Sequence, residues 1–136
     1  MLGSASTERV VLYAYESAGR GDARRLDGQV RRLAERVCAR TSRWPVATYI
    51  DRGNSNLYAR PGLAGVVYDA SYRLFDVVAV DSPDRLGRHA EDSRALLVRL
   101  ADCGVRVEVI GPSPLAKAVA VLADVLLADM IGEAAR

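Results

Sequence analysis

The run Asp81-Ser82-Pro83-Asp84-Arg85-Leu86-Gly87-Arg88 places arginines among carboxylates directly after the apolar stretch Val77-Val78-Ala79-Val80. A short apolar stretch followed by a helical pattern reads as a strand of a parallel α/β sheet, and such sheets build their sites at the carboxyl ends of strands. Arginine offers planar, paired N–H donors that match phosphate oxygens, so the run predicts an anion site. A serine stands in a comparable place, since Ser17 follows Val10-Val11-Leu12-Tyr13-Ala14. Together the two segments predict a serine nucleophile working on a phosphate.

The elements that must position these groups alternate between strand and helix patterns. Residues 1–8 read as a loose leader. Strand one is expected at Val10–Tyr15, a glycine-containing loop at Glu16–Gly21, and a helix from its cap Asp22 to about Thr41. Leu26, Val30, Leu33 and Val37 recur at helical spacing in that segment and predict its core face. Strand two is expected at Val46–Ile50 and a polar loop at Asp51–Ala59. Arg60-Pro61 then opens a second helix, with proline at a favoured first-turn position. Strand three is expected at Phe75–Val80, a helix at about Ala90–Ala101, and strand four at Val105–Ile110. Gly111-Pro112-Ser113-Pro114 breaks the chain before a long final helix over 114–136. The βαβαβαβα order with apolar strands predicts an α/β fold, a three-layer domain with a mainly parallel central sheet.

Composition narrows the function classes. At 136 residues, half of them apolar, the chain is expected to be one folded domain. A net charge of +2 is too small for a general polyanion binder. The positive charge is nearly all guanidinium, since Lys117 is the one lysine, and Arg20, Arg24, Arg25, Arg31, Arg32, Arg36, Arg40 and Arg43 crowd the first third. Cys38 and Cys103 lack metal or redox spacing and read as free thiols in a reducing cytoplasm. His89, the single histidine, has no metal-ligand companion. No apolar stretch predicts a membrane span, and the amino end lacks a signal-peptide pattern.

Several segments taken in order resemble one family. Leu12-Tyr13-Ala14-Tyr15-Glu16-Ser17, Leu26-Asp27-Gly28-Gln29, Asp51-Arg52-Gly53, Arg60-Pro61-Gly62-Leu63, Phe75-Asp76-Val77-Val78 and Asp84-Arg85-Leu86-Gly87-Arg88 are similar to the catalytic domain of serine recombinases, the resolvase/invertase group. The resemblance covers nearly the whole chain and implies a resolvase-like catalytic domain over 1–136. It implies a reaction in which a serine attacks a DNA phosphodiester, forms a phosphoserine link and is displaced in reverse after strand exchange, with neither metal nor nucleotide as cofactor. Ser17 would then be the nucleophile, and Arg60, Arg85 and Arg88 would cradle the phosphate. Asp84 would orient an arginine or handle the leaving oxygen, Asp51 would hold the loop or an arginine, and Gln29 would support the site. Taken singly, Ser17 is a loop serine, Arg60 a helix opener, Asp84 a helix cap and Asp51 a turn residue. Those readings do not explain why all of them stand at strand ends in the family's order. The implied partners are the DNA phosphate backbone and a second copy of the chain, with a tetramer on DNA; the implied setting is a bacterial-type nucleoid in the cytoplasm.

Two departures leave other readings open. The family usually carries arginine two residues before the serine, where this chain has Tyr15, and Glu16 stands beside the serine. The arginines usual in the family's long last helix are largely missing before Arg136, and no DNA-binding domain is expected within the chain. A non-catalytic relative acting by self-association or regulation is therefore the second reading. A phosphate-binding signalling module on the same sheet is the third. In the final segment Leu115, Val119, Leu122, Leu126 and Met130 form one apolar seam, and Val121, Val125 and Ala128 lie on another side. An apolar surface wider than one contact face predicts packing against the sheet and a partner subunit together. Sedimentation at micromolar concentration is expected to show a dimer that Leu122→Glu or Leu126→Glu weakens; a strictly monomeric wild-type protein would remove the expectation.

Overall fold

The computed structural model describes residues 7–16, 23–53, 56–87, 89–111 and 125. In chain order these form β1 (Val10–Glu16), α1 (Ala23–Thr41), β2 (Ala47–Arg52), α2 (Pro61–Ser71), β3 (Val77–Val80), α3 (Ala90–Asp102) and β4 (Arg106–Val109). Short 3-10 turns occupy Leu57–Ala59 and Pro83–Leu86. The four strands make one sheet in the order β2-β1-β3-β4, with every pair parallel. The expected final helix and the cap Asp22 lie outside the described residues.

The apolar pattern of β1 and β3 follows from their central places. Val10, Leu12, Val77 and Ala79 face α1 and pack with Leu33 and Val37. Val11, Tyr13, Tyr15, Val78 and Val80 point to the other face and pack with Leu63, Val66, Leu96 and Leu100 of α2 and α3. Alternate residues of one strand thus feed two cores, which is why those strands carry no polar alternation. The edge strands differ. β2 and β4 leave much of their length accessible, including Ile50 and Val109, so the expectation of apolar strands buried on both faces holds for the two central strands only.

The chain leaves β1 toward β2 on one side, then crosses back to β3 on the other. The gap between the carboxyl ends of β1 and β3 is therefore the switch point of the sheet, the place where open α/β folds put their sites. Six strand limits shift from expectation by one or two residues: β1 runs on to Glu16, β2 spans Ala47–Arg52, β3 starts at Val77 and β4 spans Arg106–Val109. β2 extends through Asp51 and Arg52, which the sequence assigned to a loop, because both continue the parallel register opposite Tyr15 and Glu16. Phe75 precedes β3, with the Asp76 carboxylate capturing the Arg9 backbone N–H at 2.8 Å. β4 stops at Val109, and Ile110 instead donates its N–H to the Val80 carbonyl.

The first turn of α2 sits unusually close to β2. A Cβ on Gly62 would fall 2.5 Å from the Ile50 carbonyl oxygen and 2.9 Å from its carbon. Backbone cannot yield as a flexible side chain can, so Gly62 is required by contact. Gly62→Ala is expected to force α2 away from the sheet and to cost about 1–3 kcal/mol, the usual range for overpacking. Urea unfolding measures it, and an unchanged midpoint would show that the close approach is dispensable.

Candidate active site

Asp51, at the end of β2, faces inward with 5% exposure. Its Oδ1 accepts the N–H of Gly62 at 2.7 Å and its Oδ2 the N–H of Leu63 at 2.8 Å. These are two of the N–H groups that a helix start leaves without intrahelical partners, and a carboxylate there is also favoured by the helix dipole. Arg60, the residue at the N-cap position, makes no side-chain cap itself, so a neighbouring strand does the capping. The Tyr13 hydroxyl donates a third hydrogen bond to Asp51 Oδ2 at 2.8 Å. Asp51 thus ties β1, β2 and α2 together at one corner of the sheet.

Arg60 is only 3% exposed. Its guanidinium carbon lies 3.7 Å from the centre of the Tyr15 ring, and its Nη1 donates to the Arg85 carbonyl at 2.5 Å. It also acts on the Tyr13 hydroxyl by hydrogen bonding and charge, which places it beside the Asp51 carboxylate's own donor. Stacking on an aromatic face supplies about 0.5–2 kcal/mol, more as water is excluded. A buried cation needs such partners to offset its lost hydration.

Tyr15 is fixed from behind by Gln29. The Tyr15 N–H donates to Gln29 Oε1 at 3.0 Å, and Gln29 Nε2 donates to the Tyr15 carbonyl at 3.2 Å. The β1–β3 ladder pairs residues only as far as Leu12 with Ala79. The α1 side chain therefore completes, as a strand would, the backbone pairing that β3 does not reach.

Across the switch point, Arg85 lies in the turn after β3. Its Nε donates to Asp81 Oδ1 at 2.8 Å and its Nη2 to Asp81 Oδ2 at 3.4 Å. The hydrogen bond to Asp81 holds the guanidinium's pKa above its ordinary value, with added charge from Asp84 and Glu16. Asp84 accepts the Ser82 hydroxyl instead. The turn ends at Gly87, whose φ of 109° is a conformation reserved in practice for glycine. Ser93 of α3 then donates to the Leu86 carbonyl at 2.8 Å. Glu16 closes β1 with its carboxylate mostly enclosed; Arg52 Nη2 lies 3.8 Å from its Oε2, yet that oxygen accepts no hydrogen bond among the described residues.

The structure therefore brings Arg60, Arg85, Asp51 and Gln29 around the end of β1, with Asp84 exposed on the adjoining turn. Ser17 and Arg88 lie outside the described residues. Two partners escaped the sequence reading. Asp81, four residues before Arg85, is the carboxylate that orients it, a role the sequence had offered to Asp84. Tyr13, read only as a strand residue, carries the hydroxyl between Arg60 and Asp51. An alternation of tyrosines on one face of β1 was the available signal. The larger described cavity, about 630 Å³, lies elsewhere, between α2 and α3, and is lined by groups such as Leu63, Val67, Leu96 and Arg99.

Comparison with known proteins agrees with the fold. The family described as "Resolvase, N terminal domain" matches residues 10–135. No curated protein matches the sequence significantly. Among solved structures, the C-terminal catalytic domain of ISC1926 TnpA, an IS607-like serine recombinase, superposes with a TM-score of 0.67 at 22% identity, over 85% of this chain and 78% of that one. The N-terminal catalytic domain of TP901-1 integrase gives 0.65 at 22% identity, over 93% and 99% of the two chains. A resolvase family site-specific recombinase from Streptococcus pneumoniae gives 0.63 at 16% identity, over 94% and 93%. At these identities the structures establish the fold.

The two phenol–carboxylate pairs on this side of the sheet give the fold an alkaline limit. Burial, then the bond to Asp51, raises the Tyr13 hydroxyl far above its ordinary range. Burial and a 2.5 Å hydrogen bond to Asp69 push Tyr49 from 10.0 up to about 12. Both phenols hold their protons more tightly folded than unfolded. The Tyr49 stabilisation is complete below the unfolded value near 10 and is lost as pH rises through about 12, while that of Tyr13 persists to still higher pH. The unfolding free energy is expected to fall across that interval, and Tyr49→Phe to flatten part of the fall. An identical slope in wild type and Tyr49→Phe would refute the assignment.

Proposed function

The chain belongs to the resolvase N-terminal domain family, and from that premise we propose that it breaks and rejoins DNA through a phosphoserine link. The observation that carries the proposal is that the buried Arg60 guanidinium donates to the backbone carbonyl of Arg85 at the switch point, near the end of the strand that precedes Ser17 in the chain. In this reading the Ser17 Oγ forms a bond to phosphorus while the bond from phosphorus to one deoxyribose oxygen breaks. That oxygen leaves as a hydroxyl, taking up a proton as the serine loses one. Attack by such a hydroxyl on the phosphoserine reverses the step, so the ester bond is conserved and no nucleotide or metal is consumed.

The roles follow from where charge develops. An in-line displacement gathers negative charge on the non-bridging oxygens, and fixed cations at that point lower the barrier. Arg85, oriented by Asp81, and Arg88 supply that charge. Arg60 adds a buried positive field at the same corner. Asp51 and Gln29 hold the strands and helix that aim these groups, and Asp84 flanks the turn where a leaving hydroxyl would gain its proton. DNA is engaged through its phosphate backbone, and pairing of two chains, then four on DNA, brings the broken ends together.

A second reading, a non-catalytic relative that regulates or self-associates, is favoured by Glu16. Its enclosed carboxylate stands next to Ser17 and acts on Arg85, where it competes with a phosphate for positive charge.

One experiment separates the two. The chain, fused to a DNA-binding domain and given a nicked duplex carrying that domain's site, is expected to yield a detergent-resistant protein–DNA adduct. Ser17→Ala should abolish it, and Arg85→Gln should lower its rate on the order of 10²–10³-fold, as for a lost transition-state donor. No adduct with DNA binding confirmed would count against catalysis and favour the non-catalytic reading, and an adduct surviving Ser17→Ala would mean another nucleophile.

A further inference from the structure

We propose that Tyr15 is a positioning residue that holds the Arg60 guanidinium inside the fold and, through Arg60, sets the backbone of the turn carrying Arg85. Three observations join to give this. The Arg60 guanidinium lies 3.7 Å from the Tyr15 ring centre, with both residues almost wholly buried. Tyr15 cannot drift, because both of its backbone polar groups are held by Gln29. On its far side Arg60 donates to the Arg85 carbonyl, inside the Pro83–Leu86 turn. The linkage runs from Gln29 of α1 through β1 and Arg60 to that turn.

The identity of residue 15 decides where Arg60 rests. An aromatic face presents negative potential to a cation, so tyrosine stabilises the guanidinium in place. A second cation at this position would repel it toward solvent, where it could reach a phosphate directly. With tyrosine, Arg60 acts on a phosphate through the placement of Arg85, whose side chain keeps 26% exposure. That last consequence rests on the recombinase reading; the anchoring does not.

Arginine side-chain NMR on the wild-type chain tests the proposal. The Arg60 Nε–Hε signal is expected to be shifted upfield by the ring current, with cross-relaxation to the Tyr15 ring protons. Its exchange with solvent should be slower by about tenfold or more than that of exposed Arg94. Tyr15→Phe should preserve these features. Tyr15→Leu should abolish them and also move the Arg85 Nε–Hε signal, leaving Arg94 unchanged. A wild-type Arg60 signal at the free-arginine position would overturn the proposal, as would an Arg85 signal indifferent to Tyr15→Leu. Should Tyr15→Leu fail to fold, the wild-type cross-relaxation and its retention in Tyr15→Phe decide the matter. Titration with inorganic phosphate distinguishes the two layers of the argument. Movement of Arg85 without Arg60 supports both. Movement of neither leaves the anchoring standing and counts against the phosphate site, whereas loss of the Arg60 ring-current shift on phosphate binding overturns its fixed placement.

Discussion

A guanidinium shut away from water at the end of a parallel sheet must be matched by fixed groups, because its hydration has been given up. Arg60 imposes that requirement here. It is met by an aromatic face from β1, a carbonyl from the turn after β3 and a tyrosine hydroxyl that also serves Asp51. The partners come from β1 and from the turn after β3, so satisfying one charge fixes the placement of both segments against the start of α2. The opposite charge, Asp51, is treated in the same way. It is surrounded by two helix N–H groups and a phenol. Both ionised side chains at the corner are thereby held by fixed groups.

That order depends on backbone contact as much as on charge. The Asp51 carboxylate reaches the first turn of α2 only because Gly62 lets the helix approach β2 to within a distance that a methyl group would block. Arg60 then emerges directly before the proline that opens the helix, with its own backbone extended. A site on rigid elements is held more closely than one on loops. The arrangement puts the innermost cation on such an element and leaves the outer one, Arg85, on a short turn between a central strand and a glycine of positive φ.

The fold was legible in the sequence where burial enforces a pattern. β1 and β3 are central, so their residues are apolar on both faces, and α1 shows its core side in Leu26, Leu33 and Val37. Boundaries were less legible at the edge strand β2. Asp51 and Arg52 are polar and resemble loop residues, yet they extend β2 because the carboxylate's partners lie in another element. That Asp51 and Arg85 stand near one corner followed from the position of strand ends at a switch point, whereas Gln29, on α1, was named only through the family resemblance. How they interact did not follow. Asp81 and Asp84 are equally plausible partners for Arg85 in one dimension, and only the turn geometry selects Asp81. The role of Tyr13 depends on contacts with residues 38 positions away, a relation that periodicity cannot reveal.

The same geometry explains why Tyr15 and Glu16 have different effects despite being neighbours. Successive residues of a strand point to opposite faces, so the Tyr15 ring enters the α2–α3 side and meets Arg60. Glu16, the last residue of β1, carries its charge toward the rim, where Arg52 and Arg85 feel it. Tyrosine therefore changes the site by holding a cation in place without adding charge. Glutamate adds a negative charge that, in the proposed reading, an incoming phosphate would have to meet. The two substitutions act in series on one electrostatic problem: the first determines which arginine is presented, and the second how strongly the presented arginine is already engaged. In the proposed reading, a phosphate at the end of β1 would meet Arg85, held by Asp81 and drawn on by Glu16, with the Arg60 charge behind it as a fixed background field.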